Sequence, residues 1–184
     1  MNPTSDLRGE HSAMQIILQA MKRLVNDIRE NINHPDVFKI RQIGDFLANY
    51  TIQCHYEKEE KGHFAALLEM DIPYLTRIIN HLTSEHAIGR EYIRVLNDNI
   101  GRYLAGQYVS FASIAANLLD FVELEQQHMR TEDTLIFPIC DKLLIDSRLI
   151  SISSDFRIIQ DEQIGRAKYV EYYQLLNQLY AENK

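Results

Sequence analysis

Residues 111–137 read FASIAANLLDFVELEQQHMRTEDTLIF, and the pattern of this stretch decides the fold. Apolar residues recur in it at alternating steps of three and four, which is the spacing of one face of an α-helix. Three positions on this apolar stripe are ionisable instead, namely Glu125, His128 and Glu132. The stretch therefore predicts an amphipathic helix that carries a polar site on its buried face.

The rest of the chain repeats this helical periodicity, with short breaks near residues 31–36, 71–73 and 105–107. Helices are expected over about 5–32, 36–70, 75–103, 111–135 and, from Ser154 to Asn183, at the C-terminus. Because short turns join antiparallel neighbours, the pattern predicts an all-α, antiparallel up-down-up-down four-helix bundle with an additional C-terminal helix. Residues 1–145 would form the bundle. Residues 146–184 would form a helical extension packed on it or at an oligomer contact.

The composition agrees with a helical protein and disfavours several classes. Of 184 residues, 46% are hydrophobic and 24% charged, and Gly (7) and Pro (4) are scarce, unlike in a turn-rich β fold. The net charge of −7 predicts no binding to nucleic acid or to a membrane. Cys54 and Cys140 form no CxxC pair, so neither a disulfide scaffold nor a zinc–thiolate site is expected. Without a secretory signal or a long apolar span, a reduced, cytoplasmic setting is expected.

Each of the four predicted bundle helices carries a histidine on its apolar stripe. These histidines are His11, His55, His86 and His128, and two of them open His-x-x-x-Glu motifs that end at Glu59 and Glu132. Residue counts from the connecting turns place all four at one level; about 22 residues separate both His11 and His55 from the first turn. Buried ionisable groups are costly unless they are paired. We therefore expect these six side chains to meet in the core.

The residue types indicate a metal centre. His-x-x-x-Glu places an imidazole and a carboxylate on one face of a helix. Mixed nitrogen and oxygen ligands without thiolate suit iron, manganese or zinc. Two carboxylates can bridge two ions while four histidines supply two nitrogens to each. On a helical bundle, such a carboxylate-bridged pair points to two iron ions.

The ordered motifs resemble the hemerythrin-like (HHE cation-binding) family over roughly residues 6–145. The family pattern H…HxxxE…H…HxxxE reads here as Glu10-His11, His55-x-x-x-Glu59-Glu60, Glu85-His86 and His128-x-x-x-Glu132, followed by Leu135-Ile136-Phe137-Pro138. The resemblance implies a non-heme di-iron site with an oxo or hydroxo bridge, in which Glu59 and Glu132 bridge the metals. It further implies that His11 and His55 ligate one iron, and His86 and His128 the other.

The sequence departs from the oxygen-carrying hemerythrins, which have a HxxxH pair on the third helix. The positions four residues from His86 are Leu82 and Arg90, and neither is a usual ligand. With one histidine fewer, both irons would have an open position. The expected partner is therefore a small diatomic ligand or peroxide, so that the protein binds, senses or reacts with oxygen, nitric oxide or peroxide. Spacing assigns no general acid or base, which leaves open whether the protein is an enzyme.

Two further residues lie near this predicted site. Glu125 precedes His128 by one turn, and it is either an additional ligand or an acceptor that orients a histidine. His63 follows His55 by eight residues, about 80° around an α-helix, which predicts an outer role around the ligands. Gly62 and Gly89 fall on the stripes close to the site. Because glycine costs about 1 kcal/mol in a helix interior, we expect them to leave room for a small ligand or its path.

Two other functions remain open at this level. A ferritin-like iron oxidase or storage protein would use Glu60-x-x-His63, Glu125-x-x-His128, Glu10 and Glu85 instead. Glu10 and Glu85 lie off the stripes, which disfavours this set. The C-terminal helix suggests a third interpretation, a metal-stabilised regulatory or interaction bundle, and a homo-oligomer is open for the same reason.

Overall fold

The computed structural model describes residues 2–30 and 36–182, and within these ranges it contains helices and no β-strand. The α-helices are α1 (Pro3–Glu30), α2 (Val37–Phe46), α3 (Tyr56–Lys58), α4 (Ala65–Leu68), α5 (Pro73–Leu104), α6 (Phe111–Thr131), α7 (Phe137–Leu143), α8 (Asp146–Gln163) and α9 (Gly165–Ala181). Three π-helical segments, π1 (Leu47–His55), π2 (Glu59–Phe64) and π3 (Glu132–Ile136), join neighbouring α-helices without a break. The all-α prediction is confirmed. No helix in the described ranges has the length and apolar character needed to cross a membrane.

Four long helical runs result: α1, residues 37–68, α5 and residues 111–143. Helix α1 begins at Pro3, slightly before the predicted start near residue 5, and the side-chain oxygen of Asn2 accepts the backbone N–H of Thr4 at 2.9 Å. Asp36 caps α2 in the same way, accepting from the N–H of Lys39 at 2.9 Å. The first predicted turn, over 31–36, lies outside the described residues except for Asp36.

The core consists of two apolar clusters with a polar layer between them. The first cluster includes buried residues within 14–28, 40–50, 93–100 and 114–122. The second cluster includes Leu7 and buried residues within 64–67, 75–82 and 136–144. In each of the four runs, the predicted metal ligands lie between residues that belong to the first cluster and residues that belong to the second. Apolar side chains therefore close the polar layer on both sides.

The π-helical segments lie at the predicted ligands. His55 ends π1, Glu59 begins π2 and Glu132 begins π3. A π-helix bonds residue i to i+5, so its turn is wider than an α-helical turn, and such interruptions are frequent at functional sites. The wider turns change the rotation that α-helical spacing predicts. His63, expected to be turned away from His55, is fully buried.

The C-terminal extension consists of two helices, which corrects the single helix predicted from Ser154 to Asn183. The helical conformation is interrupted between α8 and α9 at Gly165, whose φ of 68° is a left-handed conformation that favours glycine. Of the two helices, α8 packs against residues 37–68 and α9 packs against α1. The hydroxyl of Tyr172 on α9 donates to the backbone oxygen of Asp45 at 3.2 Å. Asn183 lies outside the described residues.

Gly62 and Gly89 make room for neighbouring aromatic side chains, not for a ligand path as expected. A Cβ atom at Gly62 would lie 2.6 Å from Cε1 of Phe156, and one at Gly89 would lie 2.7 Å from Oη of Tyr56. Both distances are shorter than a Cβ atom normally approaches another heavy atom, so neither position accepts a side chain without a shift of the neighbouring ring. Gly62 thus allows α8 to pack closely, and Gly89 allows a tyrosine to enter beside the polar layer.

Replacing Gly62 with leucine should destabilise the protein by about 1–3 kcal/mol, because the new side chain would overlap the ring of Phe156 and displace α8. Gly101→Leu is the matched control, since Gly101 lies in α5 with open space at its Cβ position. That variant should be neutral or more stable by up to about 1 kcal/mol. Urea unfolding followed by circular dichroism gives both free energies of unfolding. Equal values for the two variants would contradict the close packing of α8 on Gly62.

Candidate metal centre

The six predicted ligands lie together in the polar layer as two overlapping groups. The first group is His11, His55, Glu59 and Glu132, and the second is Glu59, His86, His128 and Glu132. Within each group, one potential ligand atom per residue lies within 4.8 Å of the others. All six residues are at most 1% exposed. The fold therefore brings together the side chains that the residue count placed at one level.

Glu59 lies between the two pairs of histidines and turns one oxygen towards each pair. Its Oε1 atom lies 3.0 Å from Nε2 of His55 and 3.6 Å from Nε2 of His11. Its Oε2 atom lies 3.2 Å from Nε2 of His86. Glu132 is oriented likewise, with Oε2 at 3.3 Å from His11 Nε2 and Oε1 at 3.3 Å from His128 Nε2. Both carboxylates are thus oriented as bridges between two positions, each facing two imidazole nitrogens.

Several of these buried atoms have no hydrogen-bond partner among the residues that the structure describes. They are both carboxylate oxygens of Glu59, both of Glu132, and the Nε2 atoms of His11 and His55. A buried polar atom without a partner costs about 1–3 kcal/mol and is rare in folded proteins. Nitrogen and carboxylate oxygen atoms that converge without other partners fit the donor set of a bound cation.

The Nδ1 atom of each histidine contacts a further carboxylate, on the side of the ring that faces away from the centre. The four pairs are His55 with Glu10 (2.8 Å), His86 with Glu60 (2.7 Å), His128 with Glu85 (2.9 Å) and His11 with Asp133 (3.1 Å). Because a carboxylate can only accept, each Nδ1 carries a proton, and a neutral imidazole then turns its Nε2 lone pair towards the centre. The four pairs form a closed ring, in which every run supplies one carboxylate to the next run.

A basic side chain lies behind each of these outer carboxylates. The pairs are Glu10 with Lys58 (2.5 Å), Glu60 with Arg90 (2.8 Å), Glu85 with His81 (3.3 Å) and Asp133 with Arg8 (3.4 Å). The side chains of Arg90, His81 and Arg8 are 38–72% exposed, whereas that of Lys58 is 3% exposed. Of the four, the Lys58–Glu10 pair alone is buried.

The carboxylates raise the pKa values of the histidines. For His11, burial acts to lower the pKa, but Asp133, Glu132 and Glu59 outweigh it and raise the pKa to about 11. For His55, Glu59 and Glu10 outweigh burial and raise the pKa to about 9. In turn, the neighbouring histidines hold the pKa of Glu59 well below its ordinary value despite its burial. Without a metal, the imidazoles would hold protons, and a bound cation would replace this positive charge.

Glu125 lies outside both ligand groups and pairs with a tyrosine. The hydroxyl of Tyr56 donates to Oε2 of Glu125 at 2.6 Å, and the other oxygen of Glu125 is buried without a partner. The ring of Tyr56 stacks on that of His86 with centroids 3.7 Å apart. Burial and the charge of Glu125 raise the pKa of Tyr56 well above its ordinary value, so the phenol keeps its proton. At the other half of the site, Phe137 stacks on His11 instead.

His63 also lies outside both groups. Its Nε2 atom lies 3.2 Å from the hydroxyl of Thr4, and its ring lies between Phe137 and Phe156. Burial lowers the pKa of His63 to about 4, so the ring is neutral. Its hydrogen bond is to Thr4 and not to a predicted ligand, and its Nδ1 atom is buried without a hydrogen-bond partner among the described residues. A role of His63 around the ligands stays a prediction.

The ferritin-type ligand set does not come together. Glu10, Glu60 and Glu85 contact the Nδ1 atoms of histidines, on the side away from the centre. Asp133, which completes this outer ring, has no role in the predictions from sequence. The sequence does contain an indication of all four outer carboxylates, because each is the chain neighbour of a predicted ligand. Neighbours on a helix are turned by about 100°, so such a residue faces the adjacent helix.

Comparison with models of protein families matches the chain to the hemerythrin HHE cation binding domain over residues 2–140. No curated protein and no solved structure matches the chain significantly. The matched range covers most of the chain and includes all six residues of the two ligand groups. The chain thus belongs to the hemerythrin HHE cation-binding domain family.

Proposed function

We propose that this chain is a hemerythrin-like, non-heme protein that holds two iron ions bridged by Glu59 and Glu132. One observation carries the proposal: each of these buried carboxylates turns one oxygen to each histidine pair and has no other partner. His11 and His55 would hold one ion, and His86 and His128 the other. The mixed nitrogen and oxygen ligands favour iron, with manganese and zinc as the alternatives that metal analysis separates.

The proposed activity is the binding, sensing or reaction of a small ligand, namely oxygen, nitric oxide or peroxide. When bound, the iron pair supplies redox chemistry and an open position for such a ligand. The chain's own residues exclude water through the two apolar clusters and orient the imidazoles through the outer carboxylates. Beside the second histidine pair, Tyr56 and Glu125 offer a phenol and a carboxylate oxygen that ligate nothing. Tyr56 and Glu125 therefore favour the His86–His128 half as the place where the small ligand is held.

We also infer that the four runs form the up-down-up-down bundle. The support is the order in which the runs meet the two clusters: α1 and α5 begin at the second cluster, whereas residues 37–68 and 111–143 begin at the first. Alternation of this kind is typical of antiparallel neighbours. The division at residue 145, the cytoplasmic setting and a homo-oligomer stay predictions.

Reconstitution with ferrous iron in the absence of oxygen should load two irons per chain. His11→Ala and His86→Ala should each lose about one of them, because each removes a nitrogen from a different position, and Glu59→Ala should lose about both. Arg94→Ala is the control, since Arg94 is exposed and pairs with Glu91 and Asp98 on the surface of α5, outside the site. Elemental analysis and near-ultraviolet absorption report the content. Full loading of Glu59→Ala, or a wild-type protein that takes up zinc alone, would count against the di-iron proposal.

The metal-free protein should lose stability as the pH rises above about 6.5. The raised pKa values of His55 (about 9) and His11 (about 11) mean that their protonation stabilises the folded state fully below the unfolded pKa of about 6.5. This contribution is lost as the pH rises through the folded values, by up to about 1.4 kcal/mol per pH unit for each group. Urea unfolding with a chelator at several pH values measures the loss, and iron-loaded protein should show much less of it. A flat profile for the chelated protein would contradict the charge arrangement.

Tyr56→Phe should keep the ring on His86 and remove only the donor to Glu125. With both oxygens of a buried carboxylate then unpartnered, the free energy of unfolding should fall by about 1–3 kcal/mol. Iron content should stay unchanged, while the rate of reaction with peroxide or nitric oxide should change by about tenfold. Tyr74→Phe, at a 54% exposed tyrosine, is the control. Stopped-flow rates equal to those of wild type would remove the phenol from the ligand site.

A further inference from the structure

A cleft of about 860 Å³ lies between the C-terminal helices and the rest of the protein, bordered by α1, residues 37–68, α8 and α9. Clefts that bind small molecules have volumes of about 300–1,000 Å³. Gly9 of α1 lines the cleft, and a Cβ atom added there would meet no described atom of the surrounding protein within 4 Å. Glycine costs about 1 kcal/mol in a helix interior, and no contact with neighbouring protein atoms explains this one.

Aromatic rings line this cleft, which we call the tyrosine cleft. They are Tyr50, Phe156, Tyr169, Tyr172, Tyr173 and Tyr180, so five of the ten tyrosines of the protein lie here. Tyr169, Tyr173 and Tyr180 are 42–62% exposed. Aromatic faces at the edge of a cleft bind other planar rings by stacking, and their hydroxyls accept or donate hydrogen bonds. The lining therefore favours a planar aromatic occupant over an aliphatic one.

Two charged groups of the cleft have no ion pair among the described residues. One is the carboxylate of Asp6, and the other is the guanidinium of Arg157, which donates through Nε to the backbone oxygen of Ser153 at 3.3 Å. The cleft thus offers a hydrogen-bond acceptor and several donors of opposite charge. A hydroxyl both donates and accepts, so an aromatic hydroxyl can pair with either group without bringing a net charge.

A chain of hydrogen bonds joins the cleft to the metal centre. The ammonium of Lys58 donates to Oε1 of Gln160 at 3.0 Å and to Oε1 of Glu10 at 2.5 Å. The other oxygen of Glu10 accepts from Nδ1 of His55 at 2.8 Å. Gln160, Lys58 and Glu10 all line the cleft, whereas Glu60, Glu85 and Asp133 do not.

We propose that the tyrosine cleft binds a planar hydroxyaromatic molecule, of the phenol or hydroquinone class, and that its binding alters the metal centre through Gln160, Lys58, Glu10 and His55. The binding itself is independent of the proposed function. Its effect on the metal centre rests on that function, so the two parts need separate measurements.

Binding is tested with 2,6-dihydroxynaphthalene and metal-free protein by isothermal titration calorimetry. We expect saturable binding at one site per chain, and none by cyclohexane-1,4-diol, which has the hydroxyls without the aromatic plane. Gly9→Leu should weaken binding by about tenfold or more by filling the cleft, while Gly101→Leu should leave it unchanged. Tyr173→Ala, at a ring that is 62% exposed, should also weaken it.

Three outcomes would overturn the binding site. They are no saturable binding to the wild-type protein, equal binding by Gly9→Leu and wild type, and an affinity that becomes weaker as the protein concentration is raised. The last would mean that a second copy of the chain covers the cleft. Because this titration uses no metal, it stands or fails separately from the di-iron proposal.

The effect on the metal centre is tested with cobalt(II)-substituted protein, whose visible bands report ligand geometry. Saturating 2,6-dihydroxynaphthalene should shift these bands in wild type and not in Gly9→Leu. Gln160→Leu removes one end of the hydrogen-bond chain. At a concentration that calorimetry shows to saturate the cleft of this variant, the shift should be smaller than in wild type. Bands that stay fixed while the wild-type cleft fills would overturn the connection and leave the binding site intact. Failure to bind cobalt at all would count against the metal centre instead.

Discussion

Two buried carboxylates, those of Glu59 and Glu132, lie between four imidazoles without a hydrogen bond to either of their oxygens. A low-dielectric core makes such charges costly, by several kcal/mol each, unless opposite charge lies close by. In the structure, alternating shells of opposite charge reduce this cost. Imidazoles surround the central carboxylates, outer carboxylates hold the imidazoles, and basic side chains lie behind the outer carboxylates. Each shell lowers the cost of the one inside it, and the central positions are left for cations.

This constraint also accounts for the local irregularities of the fold. His55, Tyr56, Glu59 and His63 are all buried and lie within or next to π-helical segments. The π-helical turns that end at His55 and begin at Glu59 widen the helix where these side chains must fit. Gly89 has the same origin, because the ring on His86 occupies the space that a larger residue would need. The helices thus deviate from regularity where the polar layer requires it.

The helical periodicity and the residue count from the turns were enough to predict the helices and the convergence of six polar side chains. Both depend on rise and rotation along single helices, which sequence determines well. The position of His63 was predicted with α-helical rotation, whereas residues 59–64 are π-helical. Periodicity also misses the break at Gly165, where a single left-handed residue separates two segments of similar periodicity. Asp133 and its three counterparts depend on contacts between helices, for which the spacing within one helix has no signal beyond adjacency to a ligand.

The two halves of the centre have the same types of candidate ligand but different surroundings, and this difference affects how each half can respond. Around His11 and His55, the neighbours are Phe137 and the buried Lys58–Glu10 pair that borders the tyrosine cleft. Around His86 and His128, they are the phenol of Tyr56 and the unpartnered oxygen of Glu125. Two ions in this frame would therefore be inequivalent, since one would lie beside polar groups able to contact a small ligand and the other beside a hydrogen-bond chain to the surface. Because Glu59 and Glu132 face both halves, a change in the imidazole on one side alters the charge that the same carboxylates offer to the other.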